Sequence, residues 1–427
     1  MTSYAYPRGR VVATTSVGAS TAARLFALNL GFVLARAVLP NTIQFVREGR
    51  PAPTVPIEIT GIARDVSSAC SLGTVVVALL SLGLVVPSVA RLRPLVLGWI
   101  VYLGVGVGIA VHRGGWQLST TLVACCALLA VLWLEVELDV AVRTGLRLIA
   151  ATGVLSLLLA VLAPAAAKYG DVGASWFTRN ARLAGPFSTP NEESNLFAIG
   201  VTLWAASWRR QRGSGSRLRT TMQLAVIVLP LLLSQSYTAW AAAVAGVSIV
   251  MLGPRGRRVW RPSKLWVFAL LAAVYPARQL LRFLDAQQAP TGYSGRRAVW
   301  DFVAQHWRDA YLLGHGPGAW RNLVESGAVP AWAVNGHSQL LDTLYTTGIV
   351  GVASLGVVLL AMCIRGVRLW LGGSAAAFAC LAVELVRSYT EVPFQILFGG
   401  LNLFVLLLVL GLMAHRRETP SALPGGA

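Results

Sequence analysis

Long apolar runs are the feature that most constrains how this chain of 427 residues can fold. Runs of about 17 to 25 apolar residues recur along its whole length, and each is long enough to cross the hydrocarbon core of a bilayer. Lipid offers no hydrogen-bond partner to the backbone, so such runs form helices or a closed barrel. The runs lack the two-residue alternation of a barrel. We therefore predict an all-α polytopic membrane protein.

The apolar runs predict about twelve transmembrane helices, with one large, partly helical loop that faces outward. The run 224–252 is too long for one span, and the polar residues 234–238 interrupt it, so we interpret it as two short helices that meet at a kink. The predicted spans lie near residues 22–40, 66–90, 95–111, 118–136, 148–167, 195–208, 224–252 (two spans), 265–281, 344–364, 371–386 and 394–414.

The spans and loops divide the chain into three parts. Residues 1–281 are predicted to form an N-terminal bundle with outer loops at 41–65 and 168–193. Residues 282–343 form the large outer loop, and residues 344–427 form the last transmembrane helices and a cytoplasmic tail.

The net charge of +19 raises the possibility of a nucleic-acid partner, but the distribution of the charge argues against it. The arginines cluster in short loops between apolar runs. With a cytoplasmic N-terminus, the inner loops and tails carry about 20 Lys and Arg residues and the longer outer loops about 14. This bias predicts a multi-pass protein of the cytoplasmic membrane with both termini in the cytoplasm and no nucleic-acid partner.

The cysteines and histidines show no pattern of a metal site. All five cysteines fall inside predicted spans, where they are expected to be small apolar core residues. The chain has no Cys-x-x-Cys, no His-x-x-x-His and no paired acids near its histidines. We predict neither a metal ion nor another cofactor.

The largest polar interruption between apolar runs is the stretch from Ser294 to Gly351, which contains three of the five histidines. His337 is the best candidate for proton chemistry, because an imidazole can accept a proton from a hydroxyl nucleophile near neutral pH. It precedes Ser338 and a predicted helix that begins at Gln339, whose N-terminal N–H groups can help to bind an anion. The alternative for His337 is a solvated loop residue.

The other two histidines of this stretch favour structural roles. His315 lies in the turn Gly314, Gly316 and Gly318, which we interpret as a tight turn that lets the backbone approach a ligand or another helix. His306 falls on an amphipathic helix predicted over residues 297–311.

Two pairs of outer arginines are candidate anion ligands. Arg179 and Arg182 precede the segment that ends at Asn191, and Arg296 and Arg297 belong to the large loop. A guanidinium is permanently charged and forks onto phosphate oxygens, so several on one face of a bundle can hold a lipid diphosphate. The alternative is that they neutralise lipid headgroups or form ion pairs with Glu192, Glu193, Asp301 and Asp309.

Taken together, these motifs resemble the O-antigen ligase and O-antigen polymerase superfamily of bacterial membrane glycosyltransferases, over roughly residue 182 to the C-terminus. The family has an Arg…Gly-x-Phe…Pro-Asn segment, an arginine four residues before a tryptophan, and a glycine turn that leads to a histidine. The residues that carry the resemblance are Arg182, Gly185, Phe187, Pro190, Asn191, Arg296, Trp300, Gly314, Gly316, Gly318, His337, Leu340, Leu341 and the run 348–351.

Two positions differ from the family pattern. The family often has asparagine after the histidine, where this chain has Ser338. It also often has Ser-Arg at the kink between the two short helices, where this chain has Ser236 and Tyr237.

The resemblance implies a metal-independent transfer of a glycan from a polyprenyl-diphosphate carrier to a glycan or glycolipid acceptor. The implied catalytic residues are Arg296 and His337, and His337 acts either as general base or by positioning the acceptor hydroxyl for attack at the anomeric carbon. The implied diphosphate ligands are Arg179, Arg182, Arg297 and Asn191, with the turn Gly314, Gly316 and Gly318 and with Ser338 as supporting residues. Ligase and polymerase share these motifs, so both remain open.

Two alternatives belong to other functional classes. A non-catalytic transporter or flippase would have facing charges at mid-membrane and an internal inverted repeat, and the sequence shows no repeat. A scaffold for envelope assembly is the other alternative.

Overall fold

The computed structural model describes residues 16–50, 59–84, 94–113, 118–134, 136–170, 181–210, 217–253, 296–395 and 400–414. Most of these residues are helical, and one small antiparallel sheet accompanies the helices. In chain order the elements are α1 (Ser16–Glu48), α2 (Gly61–Leu84), α3 (Pro94–Arg113), α4 (Leu118–Trp133), α5 (Leu138–Leu162), α6 (Pro164–Ala167), β1 (Lys168–Gly170), β2 (Ala181–Leu183), α7 (Pro190–Arg210), α8 (Arg217–Leu233), α9 (Tyr237–Leu252), α10 (Arg296–His306), α11 (Ala319–Glu325), α12 (Gln339–Leu371), α13 (Ala376–Arg387) and α14 (Leu401–Ala414).

The helical, polytopic class predicted from the apolar runs is confirmed. Each predicted span overlaps a helix except 265–281, which lies outside the described residues. Within the described ranges, five helices are long and apolar enough to cross a membrane; they contain Ser20–Glu48, Gly61–Gly83, Leu95–Arg113, Leu138–Leu162 and Gln339–Leu371. The total of about twelve spans stays a prediction.

Two details differ from the prediction. The strands β1 and β2 pair antiparallel, with Tyr169 opposite Arg182, in a loop for which no strand was predicted. Helix α5 begins at Leu138 rather than near residue 148. Its first turns are amphipathic, with Arg143 and Arg147 on the exposed face, so a search for apolar runs misses them.

The described helix ends agree with the predicted alternation of inner and outer loops. At one end, Arg182 donates to the carbonyl of Ser234, which joins two of the predicted outer segments. At the other end, Arg209 donates to the carbonyls of Val250 and Gly253, in segments predicted to be inner. Which end faces the cytoplasm stays a prediction.

Helix α14 is the centre of the bundle. Thirteen of its fourteen residues are buried, which is the pattern of a helix enclosed on every side. The exception, Asn402, donates to the carbonyl of Val392 at 3.0 Å and thereby ties α14 to the segment that precedes it.

Helix α12 is broken one third of the way along by Gly348, which has φ 65° and ψ −164°. The break releases backbone groups that a continuous helix would pair, and unpaired backbone groups are costly in a membrane protein. The freed carbonyls of Tyr345 and Thr346 accept hydrogen bonds from the N–H groups of His315 and Gly316, both at 2.9 Å.

The freed N–H groups beyond the break are paired in the same way. Ile349 donates to the carbonyl of Tyr311 at 2.9 Å, and Val350 donates to that of Leu312 at 3.2 Å. A Cβ at Gly314 would lie 2.4 Å from the carbonyl carbon of Thr346, so only glycine permits this approach. The glycine turn therefore approaches another helix, as one of the two predicted alternatives states, and it fastens the large loop to α12.

Replacing Gly348 with alanine tests this fastening. We expect Gly348→Ala to destabilise the folded protein by at least about 1–3 kcal/mol, because its backbone conformation is open essentially to glycine only. A Cβ there would also lie 2.4 Å from the carbonyl oxygen of Leu312. Thermal unfolding of the purified protein in lipid nanodiscs measures the change.

The matched control is Gly356→Ala in the same helix, where a Cβ would meet nothing within 4 Å. We expect this change to be neutral or slightly stabilising, because alanine has the higher helix propensity. Equal melting temperatures for the two variants would contradict the role of the break.

Candidate functional site

The short sheet places Arg182 at the outer end of the bundle. Side chains alternate along a strand, so the buried Ala181 and Leu183 direct Arg182 to the opposite face. The Nε of Arg182 donates to the carbonyl of Ser234 at 2.9 Å, and one Nη donates to the side-chain oxygen of Asn191 at 3.2 Å.

Asn191 is fixed in the first turn of α7 by a helix cap. The N–H of Glu192 donates to the hydroxyl of Thr189 at 3.3 Å, and the Glu192 carboxylate accepts from the N–H of Ser188 at 3.0 Å. Pro190 is the first helical residue. Its missing N–H costs the helix no hydrogen bond, because an N–H at this position has no partner within the helix.

Arg50 organises the same loop, and the sequence analysis assigned it no role. Its guanidinium donates to the carbonyls of Ala166, Gly185, Phe187 and Ser188 at distances from 2.6 to 3.1 Å. These four carbonyls hold the charge in place of water, and burial lowers the pKa of Arg50 to about 10. An arginine between a glycine and a proline, in the outer loop after the first predicted span, is the only signal that the sequence offers.

The predicted kink between α8 and α9 is confirmed at residues 234–236. Gln235 has a positive φ of 52°, which ends α8 and redirects the chain. The orphan carbonyl of Leu231 accepts from the indole N–H of Trp240 at 2.9 Å, and the carbonyl of Ser234 accepts from Arg182. The kink is therefore joined directly to the arginine network.

Helix α10 presents Arg296 and Trp300, four residues apart, on one face. The indole N–H of Trp300 donates to the carbonyl of Gly336 at 3.1 Å, which holds α10 against the loop of His337. Arg296 donates to the carboxylate of Glu391 at 2.6 Å.

Glu391 is the residue of this site that the sequence analysis missed. Its Oε1 accepts from both Arg296 at 2.6 Å and the side-chain amide of Asn191 at 2.8 Å. A carboxylate in the short outer segment between the last two predicted spans was the available signal. Nothing local in the sequence connects this carboxylate with arginines that lie 95 or more residues away.

The contacts join four candidate residues into one chain, which we call the arginine network: Arg182, Asn191, Glu391 and Arg296. Burial, together with weaker effects that include the positive charge of Arg296, lowers the pKa of Arg182. The side chains of Arg296 and Glu391 keep 18% and 19% of their surface exposed, so the network is open to a ligand at that point.

His337 lies next to the arginine network in a strained backbone conformation. Its φ is 45°, in the left-handed region that non-glycine residues rarely adopt, and its N–H donates to the side chain of Asn335 at 2.9 Å. The ring packs against Trp332 at a centroid distance of 5.4 Å. Among the residues that the structure describes, neither ring nitrogen has a hydrogen-bond partner.

The surroundings of His337 keep its ring neutral at physiological pH. Burial and the positive charge of Arg296 lower the pKa of His337 to about 4, against smaller opposing effects of Glu391 and the Trp332 backbone. A neutral, buried imidazole has one ring nitrogen with a free lone pair, and that nitrogen can accept a proton from a hydroxyl group that enters beside it.

Gly336 and Ser338, on either side of the histidine, are held by the start of α12. The N–H of Gly336 donates to the Asp342 carboxylate at 2.9 Å, and the carbonyl of buried Ser338 accepts from the N–H of Asp342 at 2.9 Å. The helix predicted to begin at Gln339 is confirmed. Gly318 lies at the start of α11.

The remaining predicted residues divide between other contacts and positions outside the description. Arg297 lies 3.7 Å from Asp301, one of its predicted partners, in a largely exposed ion pair. Arg179 lies outside the described residues. His315 stacks on Tyr345 at 4.4 Å and His306 on Phe302 at 4.2 Å, in agreement with structural roles.

Metal-ligating side chains do not gather in this part of the chain. Over the described ranges, no group of three or more His, Cys, Asp or Glu side chains is arranged to hold a metal ion. The cationic groups of the site are arginines.

The charge of Arg296 provides a test of the site's electrostatics. We expect Arg296→Gln to raise the pKa of His337 above its value of about 4, because a nearby positive charge disfavours the imidazolium. Titration of ring-labelled histidine by NMR, with His337→Gln to assign the signal, measures the shift.

Arg297→Gln is the matched control, because Arg297 belongs to the same helix but pairs with Asp301. It should leave the His337 titration unchanged, and an equal shift in both variants would contradict the assigned contact. In the parent protein, the folded pKa of about 4 lies below the unfolded value of about 6.5. The contribution of His337 to stability is therefore complete above about pH 6.5 and is lost as pH falls towards 4.

Comparison with known families adds one match. Residues 222–356 match a family model described as O-antigen ligase. The match contains the α8–α9 kink, Arg296, the glycine turn and His337, and it confirms the resemblance to the O-antigen ligase and polymerase superfamily. It indicates a membrane glycosyltransferase-like function. A comparison with curated proteins found no match.

Proposed function

We propose, with the O-antigen ligase match as premise, that this protein is a metal-independent membrane glycosyltransferase that moves a glycan from a polyprenyl-diphosphate carrier to a hydroxyl acceptor. The observation that carries the proposal is the arginine network next to the unpaired imidazole of His337. The two sets of groups match the two needs of the reaction, which are stabilisation of a leaving diphosphate and acceptance of a proton.

The donor diphosphate is held by the arginines of the network. Arg296 donates one of its five N–H groups to Glu391, and its side chain remains partly exposed. Its other N–H groups can therefore bind two phosphate oxygens at once. Arg182 and Asn191 support it from the bundle side. Arg179 and Arg297 are proposed as further charges that attract the donor to this end of the protein.

His337 acts as the general base. The acceptor hydroxyl oxygen attacks the anomeric carbon of the donor sugar while its proton passes to a ring nitrogen of His337. The bond between the anomeric carbon and the diphosphate oxygen breaks, and the electron pair leaves with the polyprenyl diphosphate. Arginine charge stabilises that leaving group, so no metal ion is required for this step.

The partners follow from the position of the site at an end of the bundle. The polyprenyl chain lies in the bilayer beside the helices, and the glycan or glycolipid acceptor reaches the site from the aqueous side. The positive-inside bias assigns this side to the outer face of the cytoplasmic membrane.

Single replacements of the three central residues test the proposal. We expect His337→Ala to lower transfer by about 10² to 10⁴-fold through loss of the base. Arg296→Ala and Arg182→Ala should each lower it by about 10² to 10³-fold through loss of leaving-group stabilisation. Surface polysaccharide in a deletion strain complemented with each variant, at matched membrane abundance, measures the loss.

Arg321→Ala is the matched control, because Arg321 is an exposed arginine of the large loop on α11. It should retain the parental polysaccharide profile. A normal profile in all three site variants at normal abundance would rule out the transferase and leave a transporter or an envelope scaffold.

The accumulated intermediate separates ligase from polymerase. Loss of a ligase leaves long lipid-linked chains, whereas loss of a polymerase leaves single lipid-linked repeat units. Chain-length analysis of the lipid-linked glycans in the His337→Ala strain distinguishes the two.

A further inference from the structure

The segment that carries Glu391 is fixed by the helices around it. Gln339 donates its N–H to the carbonyl of Ser388 and accepts the N–H of Phe394 on its side chain, both at 2.8 Å. The hydroxyl of Thr390 donates to that of Thr238 at 3.2 Å. The bundle therefore fixes the segment that carries the Glu391 carboxylate, and the side chains of the arginine network contact it there.

This carboxylate has the position of an anion between two arginines. One oxygen accepts from Arg296 at 2.6 Å and from Asn191 at 2.8 Å, and Asn191 in turn accepts from Arg182. Two guanidinium groups brought this close in a partly buried site repel each other, and a negative charge between them offsets the repulsion. The contact uses one N–H of Arg296, and an exchange of that partner requires only a movement of its flexible side chain.

We propose that Glu391 is a built-in counter-anion of the diphosphate site. In the empty enzyme it holds Arg296 beside Asn191 and His337. A bound diphosphate competes with Glu391 for the Arg296 guanidinium, and the return of Arg296 to Glu391 accelerates release of the polyprenyl diphosphate product. Glu391 is thus a positioning residue that sets how tightly the site holds diphosphate, an inference that rests on the proposed function.

The counter-anion role and a purely structural role predict opposite effects on anion binding. Removing the negative charge while keeping the shape leaves two arginines without their internal anion, so diphosphate binds more tightly and leaves more slowly. If Glu391 served only to hold the loops together, its removal would loosen the arginines and weaken binding.

Binding of inorganic diphosphate to the purified, full-length protein in nanodiscs separates these roles. We expect Glu391→Gln to tighten binding by roughly tenfold in isothermal titration calorimetry, the size expected for removing one partly screened like charge. Glu325→Gln, which removes the same charge from an exposed position on α11, should change binding less than twofold.

A second variant covers the case in which Glu391→Gln does not fold. Glu391→Asp keeps the charge, but the shorter side chain cannot reach both Arg296 and Asn191. We expect diphosphate to bind about two- to fivefold more tightly than in the parent, because the negative charge remains but its direct contact with Arg296, for which diphosphate competes, is weakened. We also expect a lower kcat, because Arg296 is no longer positioned. Weaker or unchanged diphosphate binding in a folded Glu391→Gln protein overturns the inference, and so does weaker or unchanged binding in Glu391→Asp.

Steady-state transfer distinguishes failure of this inference from failure of the proposed function. A counter-anion predicts that Glu391→Gln lowers both kcat and the KM for the lipid-linked donor and strengthens inhibition by diphosphate. Tighter diphosphate binding in a protein without transferase activity would overturn the proposed function and keep the counter-anion. If Glu391→Gln is an active transferase with unchanged kcat, KM and diphosphate binding, the counter-anion inference is overturned and the proposed function is kept.

Discussion

The backbone hydrogen bonds between the large loop and α12 at the Gly348 break are the interaction on which the outer end of this protein depends. A helix break inside a bundle is tolerated only where other groups pair the freed N–H and C=O groups. Here the segment 311–316 of the large loop supplies those partners. The described part of the loop, residues 296–343, is therefore packed onto the bundle, and α10 and His337 take fixed positions at its outer end.

Arg50 and the two arginines of the network are each held by neutral groups or by an opposite charge before any ligand arrives. A carbonyl and Asn191 hold Arg182, Glu391 holds Arg296, and four carbonyls hold Arg50. Groups fixed in this way need little reorganisation when charge develops on a leaving group, which is the main physical advantage of an enzyme site over water. The strained backbone of His337 is consistent with the same preorganisation.

Much of the helix content was predictable from sequence because apolar runs of membrane length permit few other structures. The α8–α9 kink and the start of α12 at Gln339 were also predictable, since each has a local polar signal. The alternation of inner and outer loops along the chain correctly predicted that Arg182, Asn191, Arg296 and His337 lie at one end of the bundle.

The contacts within that end were not predictable from a single sequence. Glu391 is 95 residues from Arg296 and 200 from Asn191, and no local pattern encodes pairing over such separations. The sheet of β1 and β2 has three-residue strands, too short for a period to be recognised. Arg50 could not be distinguished from other loop arginines, because its four partners are backbone carbonyls, which every residue type carries.

The burial of α14 has a consequence for how the protein is made. The central helix of the bundle follows in sequence every helix that it packs against, namely α1, α4, α5, α7, α12 and α13. Earlier helices inserted by the translocon cannot close around their final core until Leu401–Ala414 leaves the ribosome.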